Sequence, residues 1–264
     1  MGFFKAGKFE LNLSKKTYIM GILNVTPDSF SDGGKWFSIE AAVAHALQMQ
    51  ADGADIIDIG AQSTRPGYVE ISPEEELKRL LPVLHVLMGQ IRVPISVDTF
   101  YPKVAKAALN EGVNIVNDIM GFKDAEMLKI VSQIDCGCIV MHDGPNDQIK
   151  GFFEAQLEKM QSKNISKSRV CFDPGIGFGK TYEENLDVIK RLQTYSIDGC
   201  AMLVGASRKR VIGASCGNPP FEERVPGTIA AHTIAIAGGA NIIRAHDVKE
   251  AVQAAQVADA ILKS

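Results

Sequence analysis

The feature that most constrains this chain is an alternation of kinds: a strand-length apolar run followed by an amphipathic segment, eight times over. The runs are Tyr18 to Val25, Asp55 to Gly60, Pro94 to Asp98, Asn114 to Asn117, Cys138 to His142, Val170 to Asp173, Ala201 to Gly205 and Asn241 to Arg244. Between them, Ile39, Ala42, Val43, Ala46 and Leu47 repeat with the helical period, as do Leu77, Leu80, Leu81 and Leu84, with Pro82 expected to kink that second helix. Further helices fit Lys103 to Asn110, Ala125 to Ile134, Phe153 to Gln161, Glu183 to Leu192, Thr228 to Ala237 and Lys249 to Leu262. Such an alternation predicts an α/β fold, a (β/α)8 TIM barrel in a single domain spanning 1–264, because no Pro/Ser-rich linker or charge run divides the chain. A doubly wound open sheet is the competing architecture. Barrel closure also explains why none of the runs reads as an edge strand.

Composition narrows the function classes. With 28 Lys+Arg against 31 Asp+Glu the formal charge is −3, which leaves no electrostatic footprint for nucleic acid. At 46% hydrophobic and 22% charged residues the chain is not of disordered type. No apolar run approaches the roughly 18 residues of a membrane span. The first residues alternate Lys with Phe and Leu and lack a signal-peptide core, so a cytoplasmic protein is expected. Five cysteines without C-x-x-C spacing argue for reduced, packed thiols.

Each run ends in polar residues: Asn24, Asp58, Asp98, Asn117 with Asp118, His142, Asp173, then Ser207-Arg208-Lys209 after the seventh and Arg244 with His246 at the eighth. In a barrel these ends converge on one mouth, where enzymes of this fold place their sites. Such a mouth suits a heterocycle read by carboxylates and amides, with an anion held by Arg and Lys. The stretch from Asp173 to Thr181 has Pro174 where a Walker A motif needs glycine, so it reads as a tight loop letting Asp173 and Phe178 approach a flat ligand. The polar, Gly-containing stretch from Asn24 to Gly34 reads as a lid.

The blocks Gly21 to Gly34, Ser63-Thr-Arg-Pro-Gly67, Ser96-Val-Asp-Thr99, Asn117-Asp-Ile119, Asp173 to Lys180, Ser207-Arg-Lys209 and Arg244 to Val248 resemble, in order, the dihydropteroate synthase family. These folate-pathway transferases join 4-aminobenzoate to a pterin by displacing pyrophosphate. The resemblance implies that Asp173 accepts from the pterin edge, with Asp98 and Asn117 completing the ring contacts and Phe178 beside them. It has Lys209 donating to the ring and Arg244 stacking on its face. It brings Arg244, His246 and Thr64 to the pyrophosphate, counts Ser207 and Ala245 among the substrate-binding residues, and makes Asn24 the protein ligand of a Mg²⁺ ion. Asp28 and Asp32 on the lid would stabilise a cationic carbon, while Ser63 and Arg65 would serve the 4-aminobenzoate side. Small-molecule substrates and a homodimer are implied in the same way.

Two departures stand out: Gln62 where the family usually has Glu, and a short stretch from His142 to Asp173; both are expected at the rim, away from the pterin pocket. A metal-dependent hydrolase barrel would need His-x-His at the first strand, where Asn24-Val-Thr stands. A corrinoid-linked methyltransferase would need no pyrophosphate site. A silent pterin-binding paralogue is the remaining alternative.

Overall fold

The computed structural model describes residues 2–26, 39–62 and 69–263. An antiparallel hairpin, β1 (Phe3–Ala6) and β2 (Phe9–Asn12), precedes the repeating part of the chain. There β3 (Tyr18–Asn24), α1 (Ile39–Ala51), β4 (Ile56–Gly60), α2 (Pro73–Leu87), β5 (Ile95–Asp98), α3 (Pro102–Asn110), β6 (Ile115–Asp118), α4 (Ala125–Gln133) and β7 (Gly137–Met141) alternate. They are followed by α5 (Ile149–Gln161), β8 (Val170–Asp173), α6 (Tyr182–Lys190), β9 (Ala201–Val204), α7 (Arg210–Ser215), α8 (Val225–Ala237), β10 (Ile242–Ala245) and α9 (Val248–Lys263). Strands β3 to β10 are parallel and close into a barrel as β10 pairs with β3, Ile242 opposite Tyr18 and Ala245 opposite Gly21. Among the described residues no helix is long and apolar enough to cross a membrane.

Each predicted strand is present, with its ends shifted by one residue at most. The helices shift more: α8 begins at Val225 rather than Thr228 because Pro226 and Gly227 occupy its first turn, where a missing N–H costs nothing. Pro82, expected to kink the second helix, lies inside a continuous α2. The carbonyl that loses a partner there belongs to Lys78, an exposed residue on the solvent side of the helix. Sequence reading also missed α7 and the hairpin.

Alternation along each strand sorts its side chains into two sets. Leu23, Ile57, Ile59, Val97, Val116, Val140, Phe172, Val204 and Ile243 face outward into one large core beneath the helices. Met20, Ile56, Ile115, Ile139, Cys171, Leu203 and Ile242 face the lumen, where they form a second core with Tyr18 and with Phe4, Ala6 and Leu11 of the hairpin. The hairpin therefore plugs the amino-terminal end of the barrel. Gly137 permits this: a Cβ there would stand 2.7 Å from the Phe4 ring and 3.2 Å from the Lys5 carbonyl oxygen.

Phe4 is fully buried. Phe4→Ala should cost about 3 to 5 kcal/mol of stability, and Gly137→Ala about 1 to 3, in urea denaturation. The double variant should lose less than the sum, because removing the ring vacates the space the new methyl needs.

Candidate active site

The parity that places Ile56, Ile115, Cys171 and Ile242 in the lumen also places Asp58, Asn117, Asp173 and Arg244 there, two residues nearer the carboxyl ends of their strands. Ser96 and Asp98 share the inward face of β5, and Asn24 that of β3. Polar residues thus form the top layer of the lumen. They are bonded to one another. Arg244 reaches over β3 to donate from Nε to Asp58 Oδ2 at 2.6 Å and from Nη2 to Asp98 Oδ2 at 2.7 Å. From the other side Asn117 Nδ2 donates to the same Asp58 oxygen at 3.1 Å. Asp58 Oδ1 and Asp98 Oδ1 are buried with no hydrogen-bond partner among the described residues.

On the opposite wall Asp173 Oδ1 accepts the Gly175 N–H at 2.8 Å, turning the chain sharply after β8. Gly175 has a φ of +71°, and a Cβ there would lie 2.0 Å from the His142 carbonyl oxygen. This glycine is required by the neighbouring loop rather than by a ligand. The loop then presents Phe178, and the Lys209 ammonium stands 4.7 Å from the Phe178 ring centroid while donating to the Ile176 carbonyl. A capping box between Thr181 and Glu184 starts α6 directly after the loop. At the end of β10, Ser207 Oγ and His246 Nδ1 are 2.9 Å apart, and the His246 N–H donates to the same hydroxyl.

Burial sets the electrostatics of this layer. It pushes Asp98 upward, as do the charges of Asp58 and Asp118, against the pull of Arg244. Asp173 is raised by burial too, with Lys209, the Gly175 N–H and Arg244 opposing. Burial works against the charge on Arg244, but the Asp58 and Asp98 carboxylates outweigh it and keep the guanidinium protonated. Lys209 is brought down to about 8 by burial, with Arg244 and Lys180 adding to the effect and Asp173 opposing it. Lys180 falls to about 8 for the same first reason.

The structure thus gathers Asn24, Asp98, Asn117, Asp173, Phe178, Ser207, Lys209, Arg244 and His246 around the carboxyl ends of the strands. Ala245 departs from expectation: its side chain has the outward parity and packs in the core beneath the helices. Asp118 likewise faces outward, where it accepts the Met120 and Phe122 N–H groups and shapes its own loop. His142 packs edge-on to Phe152 at 5.2 Å, and burial and the Lys180 charge hold it neutral with a pKa of about 4. Arg208 is held by Asp247 and lies 5.0 Å from the Phe221 ring centroid. Gln62 is not a solvated rim residue. It is 7% exposed, its Oε1 accepts the Ile71 N–H at 2.7 Å, and its buried Nε2 has no partner among the described residues. Asp28, Asp32, Ser63, Thr64 and Arg65 lie outside the described residues. Asp58 was missing from the site residues expected from sequence, although its place at a strand end was visible.

A family model of pterin binding enzymes matches residues 20–246. The chain belongs to this family. A dihydropteroate synthase from Clostridium beijerinckii is 44% identical over 268 residues, covering 98% of this chain and 99% of the relative. The Xanthomonas albilineans dihydropteroate synthase structure with 4-aminobenzoic acid superposes with a TM-score of 0.92 at 39% identity, over 97% of this chain and 96% of that one. The Burkholderia cenocepacia enzyme complexed with 7,8-dihydropteroate does so with a TM-score of 0.90 at 33% identity, over 99% and 97% of the two chains. The alternation along the strands thus divides a polar top layer in the lumen from an apolar face that the helices cover.

Lys209 makes the floor pH-sensitive. Its charged form, which donates most strongly, prevails below about pH 8 and is lost above it. The affinity for a pterin should therefore decline as the pH rises through about 8, as calorimetry across the range would show. An unchanged decline in Lys209→Gln would count against Lys209 as the donor.

Proposed function

We propose that this protein is a transferase of folate biosynthesis that condenses 6-hydroxymethyl-7,8-dihydropterin pyrophosphate with 4-aminobenzoate to give 7,8-dihydropteroate and pyrophosphate. The observation that carries this is the set of buried carboxylates facing one lumen, with Asp98 Oδ1 lacking a donor that a pterin ring can supply. The amine nitrogen bonds to the substrate's methylene carbon as the carbon–oxygen bond breaks. Its electron pair leaves on pyrophosphate, and the amine gives up a proton. The nucleophile belongs to the substrate, so the protein's task is orientation and charge stabilisation.

Asp173 pairs with the amino and N–H edge of the pterin, since its Oδ2 has no hydrogen-bond partner among the described residues. Asp98 and Asn117 hold the opposite part of the ring, Lys209 donates to its carbonyl side, and Phe178 packs nearby. Arg244 covers the ring face and, with His246 and Ser207, meets the pyrophosphate. Thr64 joins the anion side, Ser63 and Arg65 the 4-aminobenzoate side, and Asp28 or Asp32 stabilises positive charge on the methylene carbon.

Mg²⁺ fits the donor set. Asn24 offers one amide oxygen at the mouth, and among the described residues no group of three His, Cys, Asp or Glu side chains forms a cage. That suits an ion holding mostly water and phosphate oxygens. When bound it neutralises charge on the departing pyrophosphate.

The protein works as a cytoplasmic homodimer in this reading. Ile234 on α8 and, one turn apart on the adjoining α9, Val257 and Ile261 are exposed apolar side chains that a second copy of the chain would cover. Ile234→Lys with Val257→Glu should shift the sedimentation coefficient to that of a monomer while the circular dichroism spectrum is kept; an unshifted dimer would place the interface elsewhere.

The direct test of activity is formation of dihydropteroate from the two substrates with and without Mg²⁺. No product under either condition would reject the proposal. Asp173→Asn should weaken binding of a pterin lacking pyrophosphate by about 2 to 5 kcal/mol, because a charge-assisted pair becomes a mismatched amide. Calorimetry reads this, and unchanged affinity would remove Asp173 from the pocket.

A further inference from the structure

Asp58 has no counterpart in the roles assigned above, yet it is the most connected carboxylate in the lumen. It is fully buried on β4, and its Oδ2 takes two donors from opposite sides: Arg244 Nε from β10 at 2.6 Å and Asn117 Nδ2 from β6 at 3.1 Å. In the register of β4 and β5, Asp58 stands beside Ser96, one inward position below Asp98. Arg244 is thus held at two depths. Its Nε is fixed to the deeper carboxylate and its Nη2 to the shallower one, at 2.7 Å from Asp98 Oδ2.

The two attachments differ in what a ligand does to them. A pterin whose donors engage Asp98 competes with Arg244 Nη2 for that carboxylate. Asp58 lies one layer below and is not in competition. We propose that Asp58 is a positioning residue: it serves as a pivot that keeps Arg244 Nε anchored while the Nη end swings from Asp98 onto the ligand, and it steadies Asn117 from beneath. Arg244 is then a hinged arm, parked against Asp98 in the empty site and released by the ligand that displaces it. Lysine cannot substitute, since it has no second nitrogen to leave on the pivot while the first moves.

The inference rests on the reading of Asp98 and Arg244 as pterin-pyrophosphate contacts, and a double-mutant cycle separates the two. Asp58→Asn keeps the shape and one acceptor oxygen but removes the negative charge that anchors the guanidinium, and its amide NH₂ cannot accept from Arg244. It should raise KM for the pterin pyrophosphate about tenfold and leave KM for 4-aminobenzoate within about twofold. In an Arg244→Ala background the same substitution should add less than about twofold, because there is no arm left to position. Equal losses in both backgrounds would show that Asp58 acts independently of Arg244 and overturn the pivot. A weakened Arg244→Ala beside an unaffected Asp58→Asn would overturn it while leaving the pocket reading intact. An Arg244→Ala variant with unchanged KM would overturn both.

Should Asp58→Asn not fold, Arg244→Lys carries the test alone. It retains the charge but not the pivot, so its KM for the pterin pyrophosphate should rise about as far as that of Arg244→Ala. A KM equal to that of the unaltered protein would overturn the proposal.

Discussion

Everything at the mouth depends on closure of the barrel between β10 and β3. Parallel pairing of Ile242 with Tyr18 and Arg244 with Met20 brings the last strand back to the first and forces alternate residues of all eight strands to face one lumen. Without it Arg244 and Asp58, 186 residues apart in the chain, could not share a hydrogen bond. An open sheet would leave the same residues on an exposed edge. The amino-terminal hairpin completes the arrangement by sealing the other end with Phe4 and Leu11, so that the apolar layers beneath the site are not reached by water.

That dry floor makes the site reactive to charge. Carboxylates with low exposure are disfavoured as anions, and each is offset by a particular cation: Asp58 and Asp98 by Arg244, Asp173 by Lys209. The offset is incomplete by construction. One oxygen each of Asp58 and Asp98 lacks a donor among the described residues, and the Lys209 ammonium is pulled below its ordinary range. A ligand that brings N–H donors to the carboxylates completes what the protein leaves unmade, and the low dielectric strengthens each new bond.

The fold was legible because its signals are local. Strand runs such as Val170–Asp173 are apolar on both faces, as a strand sandwiched between lumen and helices must be, and the helices carry their period in the sequence. The hairpin was missed although Phe4, Ala6 and Leu11 already alternate with polar neighbours, because short strands at a terminus look like a frayed end until a partner is seen. The site was legible to the level of which strand ends carry polar groups. Asp118 and Ala245 were read as facing the mouth, yet each lies one residue out of phase with an inward neighbour. A shift of one residue reverses a side chain's face, and sequence-based strand ends are uncertain by that amount.

By itself the sequence determined the class of fold, the eight strands and their order in the chain, the residue types available at the mouth and the family to which they belong. These follow from periodicity and from motifs contained within a few residues. Only the tertiary structure decided that Asp58 is the shared acceptor of Arg244 and Asn117, that Gln62 is buried, that Arg208 is spent on Asp247, and that Gly175 answers to the His142 carbonyl. Each of these is a contact between strands or loops distant in sequence. Its existence depends on barrel registration and side-chain depth, which no local pattern encodes.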